Sequence, residues 1–203
     1  MKKFELTTES IETASGEKLF RIKALVSFDA VEAGELGGYV EKEENLSHEG
    51  NAWVYDNARV YGNAWVYDNA QVYDNAQVYG NAWVYGNARV YGNAWVYGNA
   101  QVYGNARVYG NAQVCGDADI YDNSQKSSVD GFGSENRTTT FFREKSGGVG
   151  VKCGCFYGTL DEFREKVRKT HGDSEIAQEY LAIADVEERR FKRVAKKGDS
   201  RCI

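Results

Sequence analysis

Two histidines and four cysteines are the first side chains to weigh as chemistry in this 203-residue sequence. His48 and His171 are the candidate catalytic bases, because a general base must stand within hydrogen-bond reach of the proton it removes. His48 lies at the entry to a long repeat and His171 beside Gly172 at a helix end, so a turn or cap role competes for the first and a helix C-terminal role for the second. Cys153-Gly154-Cys155 has the spacing of a redox pair or half a metal site. On one strand, however, a C-x-C pair points to a single face, and no second pair follows at zinc spacing. Both are therefore read as buried, inert thiols, with Cys115 and Cys202 isolated and no metal site expected. The remaining candidates are contact groups. Trp53, Arg59, Trp65, Trp83, Arg89, Trp95 and Arg107 occupy the variable slot of a repeated hexad. Trp and Arg dominate interface hot spots, and together they can stack a base or sugar while neutralising a phosphate.

The repeat positions those groups. From Gly50 to Tyr121 run twelve hexads of the pattern Gly/Asp, Asn/Asp, Ala, variable, Val/Ile, Tyr/Cys. Ala and Val alternate with outward residues, the period-two signature of a short strand. The Gly-Asn or Asp-Asn pair supplies a corner, since those residues tolerate positive φ. A single strand and corner cannot bury its own apolar face, but stacking every third hexad on the first buries all the Val and Ala in one column. Eighteen residues then make one triangular coil, and four coils rise roughly 19 Å at about 4.8 Å per strand. Folding the sequence onto that period gives three outward rows: Trp53, Gln71, Arg89, Arg107; Arg59, Gln77, Trp95, Gln113; and Trp65, Trp83, Gln101, Asp119. A tyrosine ladder runs beside each, broken only by Cys115.

These hexads resemble those of the hexapeptide-repeat left-handed parallel β-helix family, in which an aliphatic residue is followed four positions later by a small one, as Val54 precedes Ala58 and Val60 precedes Ala64. The position after Val is usually small or acidic in that family, whereas Tyr fills eleven of twelve sites here. The resemblance implies a mainly β fold, and its commonest activity is acyl transfer with a histidine base and coenzyme A bound between columns of a trimer. The hexads carry no insertion of the kind that often bears the catalytic residue, and two histidines do not make a three-histidine zinc site. The C-terminal CGCFYGTLDEF and the entry segment GGYVEKEENLSHEGNAWVY are similar to segments of phage- and prophage-encoded hexapeptide-repeat proteins.

The flanks complete the expected architecture: residues 1–49 as N-terminal strands and cap, 50–125 as the β-helix, and 126–203 as a small α+β (ββαα) module. KLFRIKALVSF reads as a strand with Phe20, Ile22, Ala24 and Val26 on alternate positions. Val40 and Leu46 fall on the small inward position of the hexad, so this stretch should form an irregular first coil. KSSVDGFGSEN reads as a loop, followed by two strands joined at Ser146-Gly147-Gly148. Thr159 and Glu162 form a capping box for a helix burying Leu160, Phe163 and Val167, and a second helix turns Ile176, Tyr180, Ile183 and Phe191 inward. Its basic end, Arg189, Arg190, Lys192, Arg193, Lys196, Lys197 and Arg201, reads as a solvated helix terminus.

The three segments carry net charges of −5, −3 and +3. That pattern lacks the continuous positive track of a general nucleic-acid binder. No stretch has the apolar length of a membrane span or a secretory signal, and the sparse cysteines suit a reducing bacterial host cytoplasm. The expectation is a non-enzymatic phage or prophage binding protein, a dimer or trimer without cofactor. It would use its Trp/Tyr/Arg rows to sequester a host signalling nucleotide or block a host defence protein. The alternatives are a coenzyme A-dependent acyltransferase and a self-assembling structural protein.

Overall fold

The computed structural model describes residues 1–199, with side chains as far as Ala195. Cys202 and Arg201 lie outside the described residues, and Lys196 and Lys197 outside the described side chains. The chain forms two compact units, one spanning Met1–Asp117 and one starting at Ala118.

The first unit is a parallel β-solenoid built from two-residue strands, each a variable residue followed by Val, from Trp53–Val54 to Gln113–Val114. Strands eighteen residues apart pair in parallel, Trp53 with Gln71 and Val54 with Val72 for example, so three sheets enclose the column. The alternation inferred from the hexad holds: every Val and Ala of the repeat from Ala52 to Val114 is buried. The variable residues from Trp53 to Trp95 donate their N–H to the Ala carbonyl one coil on, as Arg59 does to Ala76 at 2.9 Å. The Tyr N–H does the same to a Val carbonyl. The outward side chains from Trp53 to Tyr97 are thus held by a continuous backbone ladder.

The corners carry positive φ, at Gly62 (69°) and Gly98 (73°) and also at Asp56, Asp68 and Asp74. An L-residue is strained there. The Asp74 carboxylate offsets this by accepting the Gly92 N–H at 2.8 Å, and Asp68 accepts that of Gly86 at 3.1 Å. Exposed asparagines form a second ladder, Asn63 donating to Asn81 and Asn81 to Asn99 at 3.2 and 3.1 Å.

The N-terminal segment closes one end of the column. Strands Phe4–Glu12, Lys18–Ala24 and Leu36–Val40 pair antiparallel, and the last then lies parallel to Arg59–Val60. The strand Phe4–Glu12 was not among the elements read from sequence. The pairing of Lys18–Ala24 is irregular between Arg21 and Lys23, so Leu19, Ile22 and Ala24 are buried while Phe20 is only half-buried, and Val26 lies beyond the strand. Val40 pairs with Val60 and Leu46 with Val66. These spacings of twenty correct the register expected for both residues: they stack on Val, not on Ala, because Leu46 takes the Val position and lies six residues before Ala52, where the repeat has four from Val to the next Ala. Gly37 and Gly38 permit the approach, since a Cβ would meet the Val54 and Ala58 carbonyl oxygens at 2.5 and 2.6 Å.

Three carbonyls at the open end are satisfied individually. Ala58 accepts from the Tyr39 N–H at 2.9 Å, Ala64 from the Asn45 side-chain amide at 2.8 Å, and Ala52 from the Lys3 ammonium at 2.8 Å. A buried carbonyl left without a donor costs about 1–3 kcal/mol, so this is the chemistry that terminates the solenoid.

The second unit contains a four-stranded antiparallel sheet in sequence order, Lys126–Phe132, Arg137–Arg143, Val149–Cys153 and Phe156–Thr159, followed by helices α1 (Leu160–His171) and α2 (Glu175–Asp199). Four strands replace the two expected. The polar Lys126–Phe132 segment pairs with its neighbour through backbone groups that its composition does not advertise. The capping box is present: Thr159 Oγ1 accepts the Glu162 N–H at 3.3 Å, and Glu162 Oε2 accepts the Thr159 N–H at 2.7 Å. Leu160, Phe163, Val167, Ala177, Tyr180, Ala184 and Phe191 form the core with Phe141 and Val151, and Ile176 and Ile183 pack partly buried against it. Arg190 in the basic run donates to the Lys126 carbonyl at 2.8 Å, and Lys192 pairs with Glu188. No helix among the described residues is long and apolar enough to cross a membrane.

Candidate functional site

Because the backbone ladder fixes each hexad, the candidate side chains are sorted by face. They do not converge. Trp53 is 0% exposed, which removes it from any binding row. Phe28 and Phe4 close edge-to-face on its indole, at 5.4 and 6.2 Å between centroids. Its row continues with Gln71 and then with Arg89 and Arg107, both exposed and in register on neighbouring strands. Arg59 and Trp95 share the second face but are separated by the intervening Gln77 strand.

The third face brings two candidates together. Trp65 and Trp83 sit on adjacent strands, 38% and 41% exposed, with rings edge-to-face at 6.1 Å and 88°. Tyr67 stacks on Trp65 at 4.1 Å, and Tyr85 stacks on Tyr67 at 4.7 Å with nearly parallel rings. Burial, with smaller contributions from Tyr85 and Asp68, pushes the Tyr67 phenol up to about 12. Tyr79 on the second face also rises to about 12, again chiefly through burial. Tyr67 and Tyr79 therefore stay uncharged across the physiological range. With Gln101 next to Trp83 and Tyr103 stacked on Tyr85 at 4.9 Å, the third face of this unit presents six outward side chains without a formal charge. The tyrosine ladder expected from the sequence is present as stacked rings, while the stacking of Tyr67 on Trp65 was not among the expectations. The eighteen-residue spacing carried the signal of the ladder.

His48 is occupied structurally. Its Nδ1 accepts the Lys3 N–H at 3.2 Å, its ring stacks on Phe4 at 4.4 Å, and its Nε2 lies 3.5 Å from a Glu43 carboxylate oxygen. It fastens the N-terminal strand to the first coil. In the second unit, His171 in the last turn of α1 stacks on Tyr180 of the same unit at 5.8 Å.

The cysteine reading changes. The strand ends at Cys153, and Gly154 turns the chain at a φ of 55°, so Cys153 and Cys155 do not share a strand face. Cys153 is half-buried and accepts from Thr139 Oγ1 at 3.1 Å, while Cys155 is exposed. Cys115 is buried in the solenoid and forms no disulfide.

The column repeats a strand and a corner every six residues, three to a coil. The repeat is similar to the YdcK β-solenoid repeat. Matches to that family cover residues 52–68, 70–86, 82–98 and 100–116. All four lie in the Met1–Asp117 unit and carry the fold of the column alone. No curated protein matches the chain.

Proposed function

We propose that this chain is a non-enzymatic binding protein: a rigid solenoid that pairs with a second copy of itself through the Trp65–Trp83 face and meets its target with the arginine-bearing face. The composition of the aromatic face carries this reading. Loss of charge together with enrichment in aromatics marks the core of an interface rather than ordinary surface, and the six side chains of this face within the Met1–Asp117 unit carry no formal charge in a chain that is 27% charged, the row's first carboxylate coming at Asp119. Tyrosine stacking explains the ladder, with cross-strand pairs worth roughly 0.2–1 kcal/mol each, but it does not require two indoles to stand more than one third exposed. The outward row runs large, large, small through Trp65, Trp83 and Gln101. A twofold axis across the face sets Trp83 against its own copy and each Trp65 over the lower Gln101 position, the self-complementarity that an isologous interface needs. Sedimentation of the wild type beside a Trp65→Ala/Trp83→Ala variant tests the pairing.

Arg89 and Arg107 favour an anionic target. Two exposed guanidiniums in register on neighbouring strands can together hold a phosphate or carboxylate. A nucleotide or an acidic patch on a host protein has that chemistry. The likeness of CGCFYGTLDEF to phage and prophage proteins supports a setting in which such a target is sequestered or blocked. Acyl transfer draws less support, because the ring of His48 is already engaged with Lys3, Phe4 and Glu43.

A further inference from the structure

The second unit contains a pocket of about 190 Å³ between the turn after Cys153 and the C-terminal half of α1. Its base is apolar: Phe156, Phe163 and Tyr180 line it, with Phe163 edge-to-face on Tyr180 at 5.8 Å. Its cationic lining is Arg137 and Lys166, with Ser134, Thr170 and His171 beside them, and the carboxylate among the lining residues, Glu135, stands 3.5 Å from Arg137.

Two glycines shape the site. A Cβ on Gly154 would come within 2.8 Å of Arg137 Nη1, so the bare turn is what lets the guanidinium lie over it. A Cβ on Gly133 would overlap the Tyr180 hydroxyl at 2.1 Å, so the chain closes over the phenol only because Gly stands there. Burial, followed by the neighbouring Cys153, raises the Tyr180 phenol, and a neutral ring does not repel an anion.

We propose that this pocket binds a small molecule in which an oxyanion, phosphate or carboxylate, is attached to a flat apolar group. The oxyanion is held by Arg137 and Lys166, and the apolar group lies on the Phe156, Phe163 and Tyr180 base. Binding sites generally pair an apolar lining with a few convergent polar groups, and sites for drug-sized ligands measure about 300–1,000 Å³. A smaller pocket suits a small metabolite. Arg provides the bidentate geometry that both oxyanions accept. This site is independent of the solenoid faces, so its failure leaves the dimer reading untouched.

Cys155 lines the pocket and is exposed, which makes it a reporter. Full-length protein is treated with iodoacetamide, and alkylation is mapped to each cysteine by peptide mass, with phenyl phosphate, benzoate or inorganic phosphate as competitor. Phenyl phosphate or benzoate should slow alkylation of Cys155 saturably, and whichever acts at lower concentration identifies the oxyanion. Inorganic phosphate should need about tenfold more, the equivalent of one order in affinity. Arg137→Gln/Lys166→Gln should weaken protection by at least about tenfold with unchanged thermal melting. No protection by either aryl anion overturns the proposal, as does equal protection by inorganic phosphate. Protection unaffected by the double substitution overturns it as well.

Discussion

Trp65 and Trp83, eighteen residues apart, meet edge to face on neighbouring coils with centroids 6.1 Å apart. Tyr67 lies flat against the first of them. Aromatic side chains have few torsions to freeze, and these are already fixed by neighbours, so a partner meets them at low entropic cost.

The tryptophans of the hexads should differ sharply in their effect on folding. Trp53 fills a closed space beneath Phe4 and Phe28, and Trp53→Ala should cost about 3–5 kcal/mol through lost burial and a cavity. Trp65→Ala removes an exposed ring and should cost no more than about 1.5 kcal/mol, the scale of an aromatic pair. Chemical denaturation of both variants checks the order. Equal losses would mean that Trp53 is not enclosed.

Asn45 should govern fraying of the first coil. Its amide donates to the Gly62 and Ala64 carbonyls, and its Oδ1 accepts the Lys42 N–H at 3.0 Å. Asn45→Leu strands those carbonyls at about 1–3 kcal/mol each. Hydrogen exchange should accelerate at Glu41 and Ser47, whose amides bond to Val60 and Val66, and stay unchanged at Tyr85 and Tyr91. Uniform acceleration along the column would contradict a local cap.

Lys3 should give stability a dependence on alkaline pH. Burial pushes its ammonium from 10.5 down to about 8. Between those values the unfolded chain holds a proton that the folded chain has released, so stability rises with pH across the window. Below pH 8 the cost of burying the charge is present in full. Lys3→Met removes this titration, so the unfolding free energy of the variant minus that of the wild type should fall steadily from about pH 8 to 10.5. A difference that stays flat across urea denaturations in that range would show that Lys3 is solvated.

Much of this was legible in the sequence, for physical reasons that also mark where legibility ends. The hexad exposes the column because Ala, Val and the corner residues answer to local geometry alone, and the Thr159–Glu162 box marks its helix for the same reason. Trp53 looked like its neighbours in the repeat. Its burial depends on Phe4 and Phe28, which come from another part of the chain and carry no hexad signal. Val40 and Leu46 have the right chemistry for the column, but their register follows from the extra length before Ala52. The strand Lys126–Phe132 is polar enough to pass for a loop, and Gly154 undoes the shared face of Cys153 and Cys155. The pocket near Arg137 draws its lining from two helices, two turns and the strand ends beside them, a convergence that no spacing encodes.

The anionic target of the arginine face can be sought directly. Native mass spectrometry of freshly purified protein, followed by denaturation and analysis of released small molecules, should yield a stoichiometric anion from the wild type and none from Arg89→Gln/Arg107→Gln. Release of the same compound from both proteins would exclude that face as its site.

The most direct test of the central claim is sedimentation velocity of the wild type and the Trp65→Ala/Trp83→Ala variant over a range of concentrations. The wild type should sediment as a closed dimer, and the variant as a folded monomer with the same circular dichroism. A wild-type monomer at every concentration, an open-ended series of larger species, or a dimer that survives both substitutions would contradict it.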